Sequence, residues 1–303
     1  MRFFLVLLLG LSFLLSSCSD NSSGTDSNGS ETLSLSFTGL EHLDNGYHYE
    51  GWVMLDGAPV TTGKFNIDAS GNFVDVNGNS ITNEFQTPNK DDLTDATAVI
   101  ITIEPSGDTD EIPATTKIIA GDINGSNATL NTTHGATLGN DFSSASGKYI
   151  LATPTSADTT DENSGIWFLS LASGSPAVGL DLPTLPAGWV YEGWAVIDGT
   201  PVTSGRFTDV AMADLAAPFS STGDGPPFPG EDYIVNAPSG LSFPTDLAGG
   251  TAVISIEPEP DDSAAPFTLK PLVGSIDASA TDHFTYDMTN NNGSFPTGTA
   301  SIK

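Results

Sequence analysis

The stretch "YEGWVMLDGAPVTTGKF", Tyr49 to Phe65, returns 142 residues later as "YEGWAVIDGTPVTSGRF", Tyr191 to Phe207, with eleven of seventeen positions identical. Its internal pattern is that of a hairpin. Tyr47, Tyr49, Gly51, Val53 and Leu55 alternate with His48, Glu50, Trp52 and Met54, the two-residue period of a strand. Asp56-Gly57 and Asp198-Gly199 then supply two-residue turns, and a second strand starts at Pro59 or Pro201.

The repetition reaches far beyond the hairpin. "AVIITIEP" (Ala98 to Pro105) matches "TAVISIEP" (Thr251 to Pro258), β-branched runs that stop at proline. Lys117 and Lys270 each stand thirteen residues beyond Glu104 and Glu257, and Gly147 to Leu151 aligns with Gly298 to Ile302. From Phe65 to Glu104 is 39 residues and from Phe207 to Glu257 is 50, so the second copy carries an 11-residue insertion. Sustained helical periodicity is missing; "DVAMADLAA" (Asp209 to Ala217) is one short exception. Short strands separated by Gly, Pro, Asn and Thr predict an all-β chain of two tandem immunoglobulin-like antiparallel β-sandwich domains, 32–160 and 161–303. The junction is placed in the polar run Ser156 to Ser164.

Ahead of these units lies an address. Arg2 precedes an apolar run, Phe3 to Leu15, too short to span a bilayer, and Leu15-Ser16-Ser17-Cys18 follows. This ending resembles a bacterial lipobox. The resemblance implies a signal peptide at 1–17 and lipid on Cys18, hence a chain tied to a membrane of the bacterial envelope, at the outer membrane or cell surface. Residues 18–31 are Ser, Asn, Gly and Asp in a density that reads as a flexible tether. Cys18 is the single cysteine, which leaves no disulfide framework and no thiolate metal site. Eight basic residues against 38 acidic ones give a formal charge of −30. Nucleic acid would be repelled.

Y-x-x-W, a D-G turn, P-V-x-x-G and a later strand ending in T-I-E-P together resemble the C-terminal extracytoplasmic domain of anti-sigma-K factors. The matching stretches are Tyr49 to Phe65 with Ala98 to Pro105, and Tyr191 to Phe207 with Thr251 to Pro258. The resemblance implies a sandwich fold and an extracytoplasmic setting. Sigma-factor binding does not follow, because a lipoprotein leader stands where that family has a cytoplasmic helical segment and a membrane span.

Catalytic signatures are thin. His42, His48, His134 and His283 show no metal-type spacing, and there is no Gly-x-Ser-x-Gly elbow or phosphate loop. Glu50 and Glu192 sit beside Trp52 and Trp194, and two readings apply: acids in paired clefts, or structural partners of Lys64 and Arg206. The basic residues favour structure, since Lys64 with Arg206 and Lys117 with Lys270 are kept in register although lysine and arginine are rare here; their expected partners are Glu50 and Glu192, and Glu104 and Glu257. Both tryptophans are expected in the core, over the bare backbone of Gly51 and Gly193. Two acidic loops, Glu104-Asp108-Asp110 and Glu257-Glu259-Asp261, offer oxygen ligands suited to Ca²⁺, the one cofactor considered, against the plainer reading of solvated turns. The stretch Pro218 to Pro244 places Phe219, Phe228, Tyr233 and Phe243 among acids and prolines; it reads either as a binding loop for a protein or saccharide, or as an insertion folded over its own sheet. A non-catalytic envelope lipoprotein is the expectation. The alternatives are a sensing module acting with a partner in envelope stress or regulation, and a small secreted hydrolase, which would need His48 or His134 beside a carboxylate in a cleft.

Overall fold

The computed structural model describes residues 31–261 and 263–303. The expected signal peptide, the expected lipidation of Cys18 and the expected tether up to residue 30 therefore fall outside the described residues. Among the described residues twenty strands follow one another, joined by loops and two short 3₁₀ turns. The first eight are β1 (Leu33–Thr38), β2 (His48–Leu55), β3 (Ala58–Ile67), β4 (Phe73–Val74), β5 (Glu84–Phe85), β6 (Ala98–Glu104), β7 (Lys117–Asp122) and β8 (Asn127–Asn131). Then come β9 (Ser146–Leu151), β10 (Gly165–Trp167), β11 (Leu169–Ser170), β12 (Ala177–Val178), β13 (Leu180–Asp181) and β14 (Trp189–Ile197). The last six are β15 (Thr200–Phe207), β16 (Gly230–Asp232), β17 (Thr251–Pro258), β18 (Leu272–Ser275), β19 (Tyr286–Asn290) and β20 (Thr297–Ile302). The chain is all-β, and every pairing between strands is antiparallel.

The quoted hairpin forms twice, in one register. Tyr49 faces Phe65 and Glu50 faces Lys64; Tyr191 faces Phe207 and Glu192 faces Arg206. Asp56, Gly57, Asp198 and Gly199 all have positive φ, as the expected two-residue turn requires. Both hairpins also break register at the same place, between Gly51 and Trp52 and between Gly193 and Trp194. That bulge explains the glycines. A Cβ on Gly51 would meet Thr62 Oγ1 at 2.6 Å, and one on Gly193 would meet Ser204 Oγ at 2.3 Å and the Phe168 ring at 2.5 Å. The tryptophan next in sequence points to the opposite face of the pleat, so it does not lie over the glycine as the sequence had suggested.

Two long sheets hold most of the strands. One has the order β4-β3-β2-β6-β7-β8-β20-β1-β5; the other runs β15-β14-β17-β18-β19-β9-β10-β16, with β13 also on β9. They curl into a half-barrel and a near-barrel. From β3 to β5 and from β15 to β16 the orders correspond under the repeat, β4 and β13 having no counterpart, with one twist: the last strand of each repeat sits in the other repeat's sheet. β20 lies between β8 and β1, with Ala300 opposite Leu35 and Ala128. β9 lies between β19 and β10, with Tyr149 opposite Tyr286 and Leu151 opposite Ile166. The division at 32–160 and 161–303 is thus crossed twice, and one cluster of buried apolar side chains runs through both sheets.

Side-chain size explains why the strands are exchanged. The alignment of Gly147 with Gly298 sets Tyr149 against Ala300 and Ile150 against Ser301. Tyr149 is fully buried and stacks on Tyr286 at 5.4 Å in its sheet, while Ala300 is buried in the other. Returning β20 to its own repeat would put alanine where the tyrosine ring belongs, a loss of roughly 3–5 kcal/mol for an emptied aromatic site. The opposite move would force tyrosine into a space filled by a methyl group. The two crossings also clasp each other. Asn290 donates through Nδ2 to the carbonyls of Phe142 and Ala145 at 2.8 Å, and the Phe142 and Phe295 rings lie 5.5 Å apart.

Candidate functional site

Each repeat builds the same buried relay beside its hairpin. Trp52 Nε1–H donates to Thr102 Oγ1 at 2.9 Å, and the Thr102 hydroxyl donates to the Glu104 carboxylate. Trp194 Nε1–H donates to Ser255 Oγ at 2.7 Å, and Ser255 donates to Glu257. Backbone N–H groups complete the two acids, from Ala114 at 3.0 Å to Glu104 and from Phe267 at 3.0 Å to Glu257. These partners are hydroxyls and amides rather than Lys117 and Lys270; Lys270 instead donates to Phe267 O at 2.6 Å. A carboxylate leaving a central strand is within reach of its own strand's hydroxyl two residues back, and the aliphatic lysine stem need not bend inward to meet it. The Thr102-x-Glu104 and Ser255-x-Glu257 spacing was the signal available for this relay.

On the neighbouring strand the two repeats part company. In the first, Glu50 accepts from the Thr61 hydroxyl, and its Oε2 lies 3.8 Å from Lys64 Nζ. Lys64 also donates to Asp108 Oδ2 at 3.0 Å and Asp108 O at 2.8 Å. Burial opposes ionisation of Asp108, but the hydrogen bond and charge of Lys64 outweigh it and hold the carboxyl below its usual range. Burial raises Glu50 and lowers His48. In the second repeat Val190 stands in the place of His48. Glu192 accepts from Thr203, but Arg206 turns away to Glu259 at 3.9 Å, so the expected Glu192–Arg206 ion pair does not close. Burial then pushes Glu192 up to about 7 and Glu257 up to about 8.

Where Arg206 turns outward, a cavity of about 450 Å³ opens, lined by Glu192, Trp194, Thr203, Arg206, Phe219 and Pro238 among others. Glu192 Oε2 is buried there without a hydrogen-bond partner. The insertion makes one wall of it. Three of its aromatics fold back on the sheet: Phe219, Tyr233 and Phe243 lie 5.5–5.9 Å from one another, and Tyr233 is fully buried with its hydroxyl donating to Val202 O and Thr203 O at 3.2 Å. Phe228 packs on the small cluster of Ile150, Ala152, Trp167 and Leu169. Of the four, Phe219 alone lines this cavity. Two buried acids that sequence reasoning passed over fasten the insertion. Glu231 accepts from Phe219 N at 3.1 Å and from the Ser220 hydroxyl. Asp232 accepts from Trp167 Nε1 at 2.7 Å and Thr155 N at 2.8 Å.

Among the described residues, no three carboxylates of the two acidic loops converge on one point. Glu104 and Glu257 are buried in their relays, Asp110 accepts from its own turn at Ile112 N, Glu259 meets Arg206, and Asp261 accepts from Ser263 N. Prolines and short Asx turns keep these carboxylates apart. Among the described residues, one set of three metal-competent side chains converges, and it joins Asp108 to His48 and Glu50. Among the described residues His48 and His134 hydrogen-bond no serine or threonine hydroxyl. His48 Nδ1 meets Gly46 O, while His134 meets Asp122 at 3.3 Å on the surface.

A comparison with protein-family models, with curated proteins and with solved structures finds no match to this chain.

Proposed function

We propose that this chain is a lipid-anchored, extracytoplasmic binding protein of the bacterial envelope that works without catalysis, and that its ligand enters the cavity of the second repeat. The observation that carries this reading is the buried Glu192 Oε2, unpartnered in a cavity that also holds Arg206 and the apolar walls of Trp194, Phe219 and Pro238. A buried acceptor without a donor costs about 1–3 kcal/mol, which a ligand hydroxyl or N–H recovers on binding. Aromatic and proline walls suit the C–H face of a sugar ring, with Glu192 and Arg206 oriented towards its polar edge. A saccharide is therefore the favoured ligand. The Leu-Ser-Ser-Cys leader and the resemblance to extracytoplasmic regulator domains support the setting.

Intrinsic tryptophan fluorescence, titrated with chito-oligosaccharides and with a soluble peptidoglycan digest, tests this. Saturable quenching is expected, and Phe219→Ala and Arg206→Ala are each expected to weaken it at least tenfold. Absence of saturation with every saccharide, or titrations identical in the variants, would rule the cavity out. In parallel, Cys18→Ser is expected to move the protein from the membrane to the soluble fraction.

A further inference from the structure

The first repeat holds a polar corner that neither the framework nor the saccharide cavity uses. His48 is 5% exposed and Glu50 2% exposed, and both carry an atom without a hydrogen bond: His48 Nε2 and Glu50 Oε2. Asp108 comes from the loop after β6, and one ligand atom from each of the three lies within 4.8 Å of the others. We infer that His48, Glu50 and Asp108 bind a divalent metal of the zinc class, and that Lys64 holds the place of the ion when the metal is absent.

Three features point to a metal rather than to a stray core histidine. The tautomer is set, because Nδ1–H donates to Gly46 O at 3.3 Å and leaves the Nε2 lone pair free; a backbone carbonyl on the far nitrogen is the usual support of a histidine ligand. The corner is also short of positive charge. Glu50, Glu104 and Asp108 all act on His48 or on one another, and Lys64 is the cation there. An imidazole with two carboxylates is a donor set for Zn²⁺, whose bonds of about 2.0–2.2 Å to such ligands leave a fourth position for water. Drawing the three atoms to about 3.4 Å apart calls for shifts on the order of an ångström, within reach of side-chain adjustment. Lys64 has somewhere to go: its side chain is 30% exposed. The second repeat is a built-in control, since Val190 replaces the histidine and Arg206 the lysine.

The test uses the full chain carrying Cys18→Ser, which removes the one thiol, at high ionic strength to screen the diffuse pull of the acidic surface. Calorimetric titration with Zn²⁺ and optical titration with Co²⁺ are expected to give one ion per chain, with a cobalt spectrum of low-symmetry, four-coordinate type. His48→Val, which copies the second repeat, is expected to retain the melting temperature and to weaken binding at least tenfold. Lys64→Met, which removes the competing ammonium, is expected to tighten it. Absence of stoichiometric binding, affinity unchanged by His48→Val, or affinity lowered by Lys64→Met would each overturn the inference.

Discussion

Glu50 and Glu192 occupy the same position of the same hairpin, yet one sits in an ion-paired corner and the other at the edge of a cavity. Around Glu50, Lys64 reaches inward to two carboxylates and His48 closes the back. Around Glu192, Arg206 reaches outward to Glu259, valine replaces the histidine, and the insertion leaves a hollow. Everything beneath them is shared: the bulge, the Asp-Gly turn, and the relay from tryptophan through hydroxyl to acid. A duplicated frame thus carries two different corners, and the corners differ through a few side chains and one loop. The lesson is that identity between repeats marks what holds the sheet together, while function is sought where they diverge.

The frame is most directly broken at its tryptophans. Trp52→Ala and Trp194→Ala are each expected to cost roughly 3–5 kcal/mol, the range for emptying a large aromatic site. Denaturant unfolding of the two variants checks this. Losses below about 1 kcal/mol would make the motif a surface rather than a frame.

A smaller effect separates the corners by pH. Glu192 at about 7 and Glu257 at about 8 are raised by burial above the ordinary 4.5 of a glutamate. Groups whose folded pKa is raised contribute stability that is complete below pH 4.5 and is lost as the pH climbs through about 7 to 8. The protein is therefore expected to be more stable at pH 5 than at pH 8.5, by on the order of 2–4 kcal/mol after allowance for local relaxation. Glu192→Gln and Glu257→Gln should flatten that slope. Glu50 is raised by burial as well, so Glu50→Gln should flatten the slope in the same direction but less, because the Thr61 hydrogen bond and the Lys64 charge offset part of the burial. Unfolding curves at the two pH values, wild type against the three variants, measure the contrast. Identical slopes in all four would erase it.

Much of the frame was legible beforehand because it is local. Alternation named the strands, Asp-Gly named the turns, and the proline after Glu104 or Glu257 named where the central strand ends. The repeat even aligned β9 with β20. What the alignment could not carry was which sheet each would join, since pairing partners are chosen by packing across the chain and not by local period. The difference between Tyr149 and Ala300 was visible, but its meaning depends on the space each one fills. The site was less legible still. Register sets Glu50 opposite Lys64, whereas Asp108 reaches its partners from a loop and Glu231 and Asp232 from a three-residue strand in the insertion, where spacing says little about direction. The aromatics of the insertion were open to two readings, a binding loop or a fold back over its own sheet, because exposure is not written in the sequence; Tyr233 is buried in the core and Phe243 is partly buried against it.

The exchange of β9 and β20 is the claim on which the rest of the fold depends, and separating the repeats tests it directly. Fragments 32–160 and 161–303 each lack the strand that completes their sheet and carry a strand shaped for the other. Prepared separately and examined by circular dichroism and urea unfolding, neither should show a cooperative transition. Mixed, they should associate one to one and unfold in a single transition. A fragment 161–303 that unfolds cooperatively by itself, with a midpoint equal to that of the whole chain, would contradict the exchange.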